Sequence, residues 1–496
     1  SKDGKIKNNY QIKGFIKDAE IRLLNNNILS NIDLNFEVQN DFYLFKNTKS
    51  RYKGIDLLSN EIKVIPTKNS NQNFSITGDI NHKSVKLSPE HLSLFFKNEI
   101  KNFENIKLSS NNNFSLIIKK YKIKSYKVDT KIKLNTLKFK TDQLKIKEYF
   151  PSFKGIVDLK DHKVKVIFQK NFFSIQGEGS YSIDSNSEKI TYDIKKLPKS
   201  IDFITKININ ETPINIEFLS YKKKENKDSS LFVEGEVNEK NFLLKKVFFS
   251  ESKNSFLINK LNLKKNFKID NIEIIDFDYV NNNKKKNKIL LKRDKKNYFI
   301  TGETFDAAKL LDEILLGDDK GGISRFFSNL NTIIKINLDR VFIGDTDFLK
   351  PLKSDIEFKK NNLVSLNLWG EMVDSKKLNL TIRTNEKNDK ITTLFAENAK
   401  PLVKKYKFIK GFDEGSLDFY SIKKFRSPVT KSKLKIQNFK LKEVPVLTKI
   451  LTLASLQGIA DLLTGEGIRF EEFEMDFEKK KDLMTINEIY AIGPAI

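Results

Sequence analysis

A period of two dominates this chain. Ile132 and Leu134 alternate with Lys131 and Lys133, Leu144 and Ile146 with Lys145 and Lys147, and Val164 and Val166 with Lys163 and Lys165. Near the far end Phe473, Met475 and Phe477 stand between Glu472, Glu474, Asp476 and Glu478. Successive side chains of a strand point to opposite faces, so each run gives one face to an apolar environment and the other to water. Breaks such as Asn111 to Asn113, Lys222 to Asp228 and Asn281 to Lys288 read as exposed hairpin loops whose lysines are solvated tips. The acids from Glu472 to Glu478 read as the solvent face of a strand.

Helices are few. Ser88 and Pro89 suit an N-cap and first turn, with a short helix from His91 to Lys97. A helix over 306–316 gathers Ala307, Leu310, Leu311, Ile314 and Leu315 on one face and stops at Gly317. A third runs from Val446 to Leu463 and closes at Gly465; Lys449, Gln457 and Asp461 make it a buried or interfacial helix rather than a membrane span. With 10 Pro in the chain, no Pro-rich linker separates discrete domains.

A short signature recurs in the strands: apolar residue, any residue, Gly, acid. It occurs at Ile76 to Asp79, Ile175 to Glu178, Val233 to Glu236, Ile300 to Glu303 and Leu368 to Glu371, with glycine intervals of 99, 58, 67 and 68. Each copy has an aromatic residue or Leu two positions before the apolar one: Phe74, Phe173, Leu231, Tyr298 and Leu366. A unit of about 65 residues fits about five strands with their turns.

At roughly 13 residues per strand and turn, the chain makes on the order of 35 strands, and open twisted sheets rarely exceed about 10 without curling or splitting. One continuous sheet would be on the order of 170 Å long at about 4.8 Å per strand. Apolar on one face throughout, such a sheet curls into an apolar trough; the commoner solution to the same pattern is a set of β-sandwiches packed face to face.

Charge introduces a rival. Lys and Arg number 90 against 64 Asp and Glu, a net of +26, which invites nucleic acid. The lysines alternate with apolar residues instead of gathering in a patch, Arg is rare beside Lys, and no RNA-recognition or zinc-finger signature occurs, so no nucleic-acid partner is expected. Abundant Lys, Asn, Ile and Phe also suit A/T-rich codons, a reading that a GC-rich coding sequence would overturn.

Catalytic and metal chemistry find no constellation. The chain has no Cys, which removes disulfides, thiolate ligands and a cysteine nucleophile. His82, His91 and His162 lack metal-ligand spacing and read as structural or surface residues. Gly321 and Gly322 lack a phosphate-loop pattern and read as a turn; Gly465 to Gly467 reads as a helix stop and strand entry. No enzyme activity and no cofactor are expected.

Residues 434–477 carry a denser set of features. Ile436 and Phe439 lie on a strand, followed by Val444 and Pro445, then by Leu451, Ala454, Ser455, Leu456, Gly458 and Leu462 on the helix. Gly465, Glu466, Gly467, Ile468 and Phe470 continue it, as does the ending Gly493, Pro494, Ala495. Upstream, Gly302, Asp306, Ala307 and Leu311 form a glycine strand and helix, and Ala399 to Gly415 precedes the last Gly-bearing strand. This arrangement resembles the C-terminal region of the AsmA-like superfamily of bacterial envelope proteins, nearest its YhdP-like branch, over about 298–496; residues 1–297 share only the repetitive β pattern.

The resemblance implies an elongated β-groove in the periplasm that conducts phospholipid between inner and outer membranes, with the runner-up a non-transporting assembly or scaffolding factor in outer-membrane biogenesis. It further implies an N-terminal inner-membrane helix, absent from this sequence; both ends read as cut. The groove lining is expected from Phe74, Ile76, Ile132, Leu134, Phe173, Ile175, Tyr298, Ile300, Leu366, Leu368, Phe473, Met475 and Phe477. Leu451, Leu456 and Leu462 are expected to cap the trough or touch a membrane. The partners are then phospholipids and the two membrane surfaces.

Overall fold

The alternating runs are strands in the computed structural model, which describes residues 10–22, 28–67, 72–88, 103–120, 122–141, 147, 149–316, 331–359, 362–372, 374–406, 410–442, 467–480 and 483–494. The chain is mainly β, with thirty strands and two short α-helices among these residues. It divides into two compact units, residues 1–214 with 223–252, and residues 215–222 with 253–496.

The first unit contains β1 (Gln11–Arg22), β2 (Ile28–Gln39), β3 (Tyr43–Tyr52), β4 (Ile55–Pro66), β5 (Phe74–Leu87), β6 (Phe103–Lys119), β7 (Lys122–Lys140), β8 (Ile156–Gln169), β9 (Phe172–Ser182), β10 (Glu188–Lys196) and β11 (Ser200–Asn208). After a short hairpin of β12 (Ile214–Ile216) and β13 (Tyr221–Lys223), the meander resumes with β14 (Ser229–Asn238) and β15 (Asn241–Glu251). Each strand pairs antiparallel with its chain neighbour, and β11 pairs directly with β14.

The second unit holds β16 (Asn254–Lys264), β17 (Ile269–Asn271), β18 (Ile274–Val280), β19 (Lys286–Asp294), β20 (Asn297–Asp306), β21 (Thr332–Phe342), β22 (Phe348–Leu349), β23 (Leu352–Lys359), β24 (Asn362–Glu371) and β25 (Lys377–Thr384). It continues through β26 (Lys390–Ala396), β27 (Phe412–Lys423), β28 (Val429–Leu441), β29 (Ile468–Lys480) and β30 (Leu483–Ile492). Its pairing is antiparallel except between β20 and β21, where Tyr298 lies beside Ile334 in a parallel ladder. Parallel neighbours need a crossover, and helix α1 (Ala308–Leu316) starts it.

In each unit the meander belongs to one sheet, the continuous antiparallel sheet expected of this chain rather than the alternative of packed sandwiches. Strands are longer than the arithmetic assumed: β6 has 17 residues and β7 has 19. Asn111 to Asn113 lie in the middle of β6 rather than in a loop, because Asn112 donates from Nδ2 to Ile80 O at 2.6 Å and so satisfies its amide within the sheet. The junction expected at 297 and 298 falls at the start of β20, inside the second unit.

Helix α1 begins after Asp306, whose carboxylate accepts the Ala308 N–H at 3.3 Å. Asp306 is 3 % exposed and also accepts from the amides of Asn281 (2.7 Å) and Asn283 (3.0 Å) and pairs with Lys285 at 3.6 Å. Leu310 and Leu311 bury the apolar face of α1. A second helix, α2 (Lys400–Tyr406), docks on it through Tyr406, whose hydroxyl donates to Asp312 at 2.9 Å. Burial and the Asp312 carboxylate push the Tyr406 phenol far up. The expected helix 446–463 with Leu451, Leu456 and Leu462, the helix His91 to Lys97, the run Leu144 to Ile146, and Gly317, Gly321 and Gly322 lie outside the described residues.

The recurrent glycine has a physical cause. A Cβ on Gly78 would lie 2.8 Å from Glu61 O, on Gly235 2.9 Å from Leu243 O, and on Gly302 2.2 Å from Lys288 O. In all three the ladder breaks register close by, at Leu58/Ile62, Glu234/Gly235 and Lys288/Ile289, with the extra residue on the partner strand in the first two and on the glycine's own strand, at Glu303, in the third. Bulges bend a strand and increase its twist, and only glycine leaves room for the displaced backbone. The acid after the glycine faces the opposite side: Asp79 accepts the N–H groups of Asn60 and Glu61 at the bulge, and Glu236 pairs with Lys245 at 3.7 Å. The glycine strands are four steps apart from β5 to β9 and three from β9 to β14, so the repeat is not a fixed five-strand module; Gly78, Gly235 and Gly302 mark bulge sites, whereas Gly177 and Gly370 make room for the side chains of Tyr192 and Leu349.

Candidate functional site

Residues paired across antiparallel strands point to the same face, so register shows which side chains share a surface. In the first unit one ladder runs Phe114, Val128, Phe168, Phe173; the next runs Thr130, Val166, Ile175, Ile194, Phe203; a third runs Ile132, Val164, Gly177, Tyr192. Leu134 follows Ile132 on the same face, and Phe74 and Ile76 of β5 sit opposite Ile118 and Leu116. All six lining residues expected in this unit therefore share one face. Leu134 is buried, whereas Phe74, Ile76, Ile132, Phe173 and Ile175 are half-buried, as are Val166, Ile194 and Phe203. The surface is apolar and incompletely covered.

Two aromatic side chains cross β9 on this face. Gly177 and Gly179 leave space that the rings of Tyr192 and His162 fill, 5.7 Å between centroids. The His162 Nε2–H donates to Ser180 O at 2.8 Å, and the Tyr192 hydroxyl donates to Nδ1 at 3.1 Å. His162 is fully buried, and burial pushes the Tyr192 phenol up to about 12. Ser110, Asn112 and Thr130 place a polar strip on the same face.

The second unit brings its seven expected residues together as well. One ladder runs Ile300, Ile336, Ser354, Leu368, Leu380, Leu394, Phe419, Leu434, Met475, and its neighbour runs Tyr298, Ile334, Ile356, Leu366, Ile382. Phe473 and Phe477 flank Met475 on the same face. Here the surface is closed: Tyr298, Leu366, Met475 and Phe477 are buried, and Leu380, Ala396 and Ile436 are 0 % exposed. Ile300, Leu368 and Phe473 remain half-buried.

The opposite face of the second unit carries paired charge. Lys431 and Lys435 of β28 bind Glu478 at 3.1 Å and Glu472 at 2.6 Å, and Lys433 binds Glu474. Lys223, expected to be a solvated loop lysine, is instead fully buried. Its ammonium donates to the carbonyls of Asn210 and Thr212 at 2.8 Å and of Lys224 at 3.1 Å, which satisfies all three donors inside.

Sequence reasoning missed Val166, Ile194 and Phe203 as lining residues, although each lies in an alternating run. It had no signal for the His162 and Tyr192 contact, because β8 and β10 meet only over the glycines of β9. Among the described residues no group of His, Asp and Glu has metal-site geometry, and no helix is long and apolar enough to cross a membrane. No family model, curated protein or solved structure matches the chain.

Proposed function

We propose that the apolar face of the first unit carries the acyl chains of phospholipid along the sheet while the headgroup stays in water, and that the protein thereby moves phospholipid between inner and outer membranes in the periplasm. The supporting observation is the half-exposure of Ile76, Ile132, Phe173, Ile175, Ile194 and Phe203 on one continuous face. Water on such a face is costly, and each acyl CH₂ withdrawn from water contributes about 0.8 kcal/mol. Aliphatic and phenyl linings without a deep pocket keep that contribution even along a path, so a lipid neither sticks nor leaves; no catalytic group is required.

Photocrosslinking side chains at Ile76 and Ile175 test the reading in cells. Phospholipid adducts are expected there and not at Thr77 and Gln176, which face the other way. Equal adducts on both faces, or none on the apolar one, would refute it. A second reading, the non-transporting assembly factor, draws on the burial of Leu380, Ala396 and Ile436, which makes the second unit's apolar face a core. Under that reading crosslinkers at Ile300 and Met475, like those in the first unit, yield no lipid.

A further inference from the structure

The opposite face of the first unit's sheet sets lysine against lysine. Lys131 of β7 lies directly across from Lys165 of β8, and Lys133 from Lys163. Like charges in directly opposed positions destabilise a sheet. Single lysine pairs recur at Lys86 and Lys107 and at Lys390 and Lys423, and on β28 Lys431, Lys433 and Lys435 sit beside acids, but here two lysine pairs lie in adjacent positions of one face. These four are exposed, and no acid lies within ion-pair distance of them among the described residues, Glu178 across from Lys163 included.

The quartet walls a cleft of about 770 Å³ whose floor is the backbone around Gly177. Lys206 adds a fifth cation, Glu178 and Asp193 are the carboxylates, and Ser109, Asn111 and Thr191 supply neutral donors. Asp193 is already engaged, accepting from Gln176 at 2.9 Å and pairing with Lys195 at 3.4 Å. The cleft therefore has an excess of positive charge, five lysines against the two carboxylates.

We infer that this cleft binds a multiply charged phosphate-class anion, a pyrophosphate or a phosphomonoester, held by Lys131, Lys133, Lys163 and Lys165. An anion at the centre converts two cross-strand repulsions into four attractions. The site lies on the face away from the acyl-chain surface and does not rest on that reading.

The test is a double substitution, Lys131→Glu with Lys133→Glu. Each new carboxylate lands opposite a lysine, so the ligand-free variant should unfold at a higher temperature than the parent, while its affinity for pyrophosphate falls on the order of thirtyfold or more. The variant Lys163→Gln with Lys165→Gln removes charge without adding any and should lose affinity as well. Phosphatidylcholine vesicles containing phosphatidic acid distinguish the source: vesicle retention displaced by pyrophosphate assigns a lipid headgroup, and pyrophosphate binding without retention assigns a free anion. The inference is overturned if the parent binds neither probe, if either double variant binds as the parent does, or if the same lysines serve tighter binding of RNA or DNA.

Discussion

Replacing Gly177 with alanine probes the packing that shapes the apolar face. The added Cβ would lie 2.3 Å from Cζ and 2.4 Å from Oη of Tyr192, well inside ordinary contact, so the ring must move. Overpacking of this kind costs about 1–3 kcal/mol. Moving the ring also takes the Tyr192 hydroxyl from Nδ1 of His162, which is fully buried, and orphaning a buried polar atom costs about 1–3 kcal/mol more. The expected loss is about 2–6 kcal/mol, which at about 2–4 °C per kcal/mol for a unit of this size lowers the unfolding midpoint by roughly 4–24 °C. Urea unfolding of Gly177→Ala, Tyr192→Ala and the double variant measures it. Because the clash needs both residues, the double variant should be less destabilised than the sum of the singles by more than about 1 kcal/mol. A Gly177→Ala protein within about 0.5 kcal/mol of the parent, or strict additivity, would refute the reasoning.

Two other perturbations address the second unit. Asp306→Ala leaves Lys285, Asn281 and Asn283 without their shared carboxylate in a buried site and should cost about 3–5 kcal/mol in chemical denaturation; a loss under about 1 kcal/mol would show that the pair carries little. Hydrogen bonds from Lys400 at 2.7 Å and Lys442 at 2.6 Å hold the Asp413 carboxyl well below its ordinary 3.8, at about 2. Between those values the unfolded chain binds more protons than the folded one, so this contribution is complete above about pH 4 and fades as pH falls toward about 2. Asp413→Asn should flatten stability against pH in that window, and an unchanged slope would rule the linkage out.

Much of the fold was legible because a strand's side-chain period of two leaves a direct trace in sequence. Alternation alone puts Ile132, Leu134, Val164 and Met475 on an apolar face, and in register each of them lies on one. The glycine signature was visible too, but its meaning was not. Only the close partner-strand carbonyls of Glu61, Leu243 and Lys288 explain why a Cβ is excluded at Gly78, Gly235 and Gly302. Asn111 to Asn113 misled because asparagine's usual preference for loops yields when its amide finds a carbonyl across the strand.

Composition and alternation by themselves determined that this chain makes long amphipathic strands, apolar on one side and lysine-rich on the other. They could not determine how covered either side is, since coverage depends on which strands become neighbours and how far each is offset. Tertiary structure decided that the same alternating pattern gives a half-open apolar face in the first unit and a closed one in the second. It also decided where +26 is neutralised and where it is not. Register set Lys431, Lys433 and Lys435 beside acids but Lys131 and Lys133 opposite other lysines, and a one-residue change of offset would have set these strands' lysine faces against the other face of their partners.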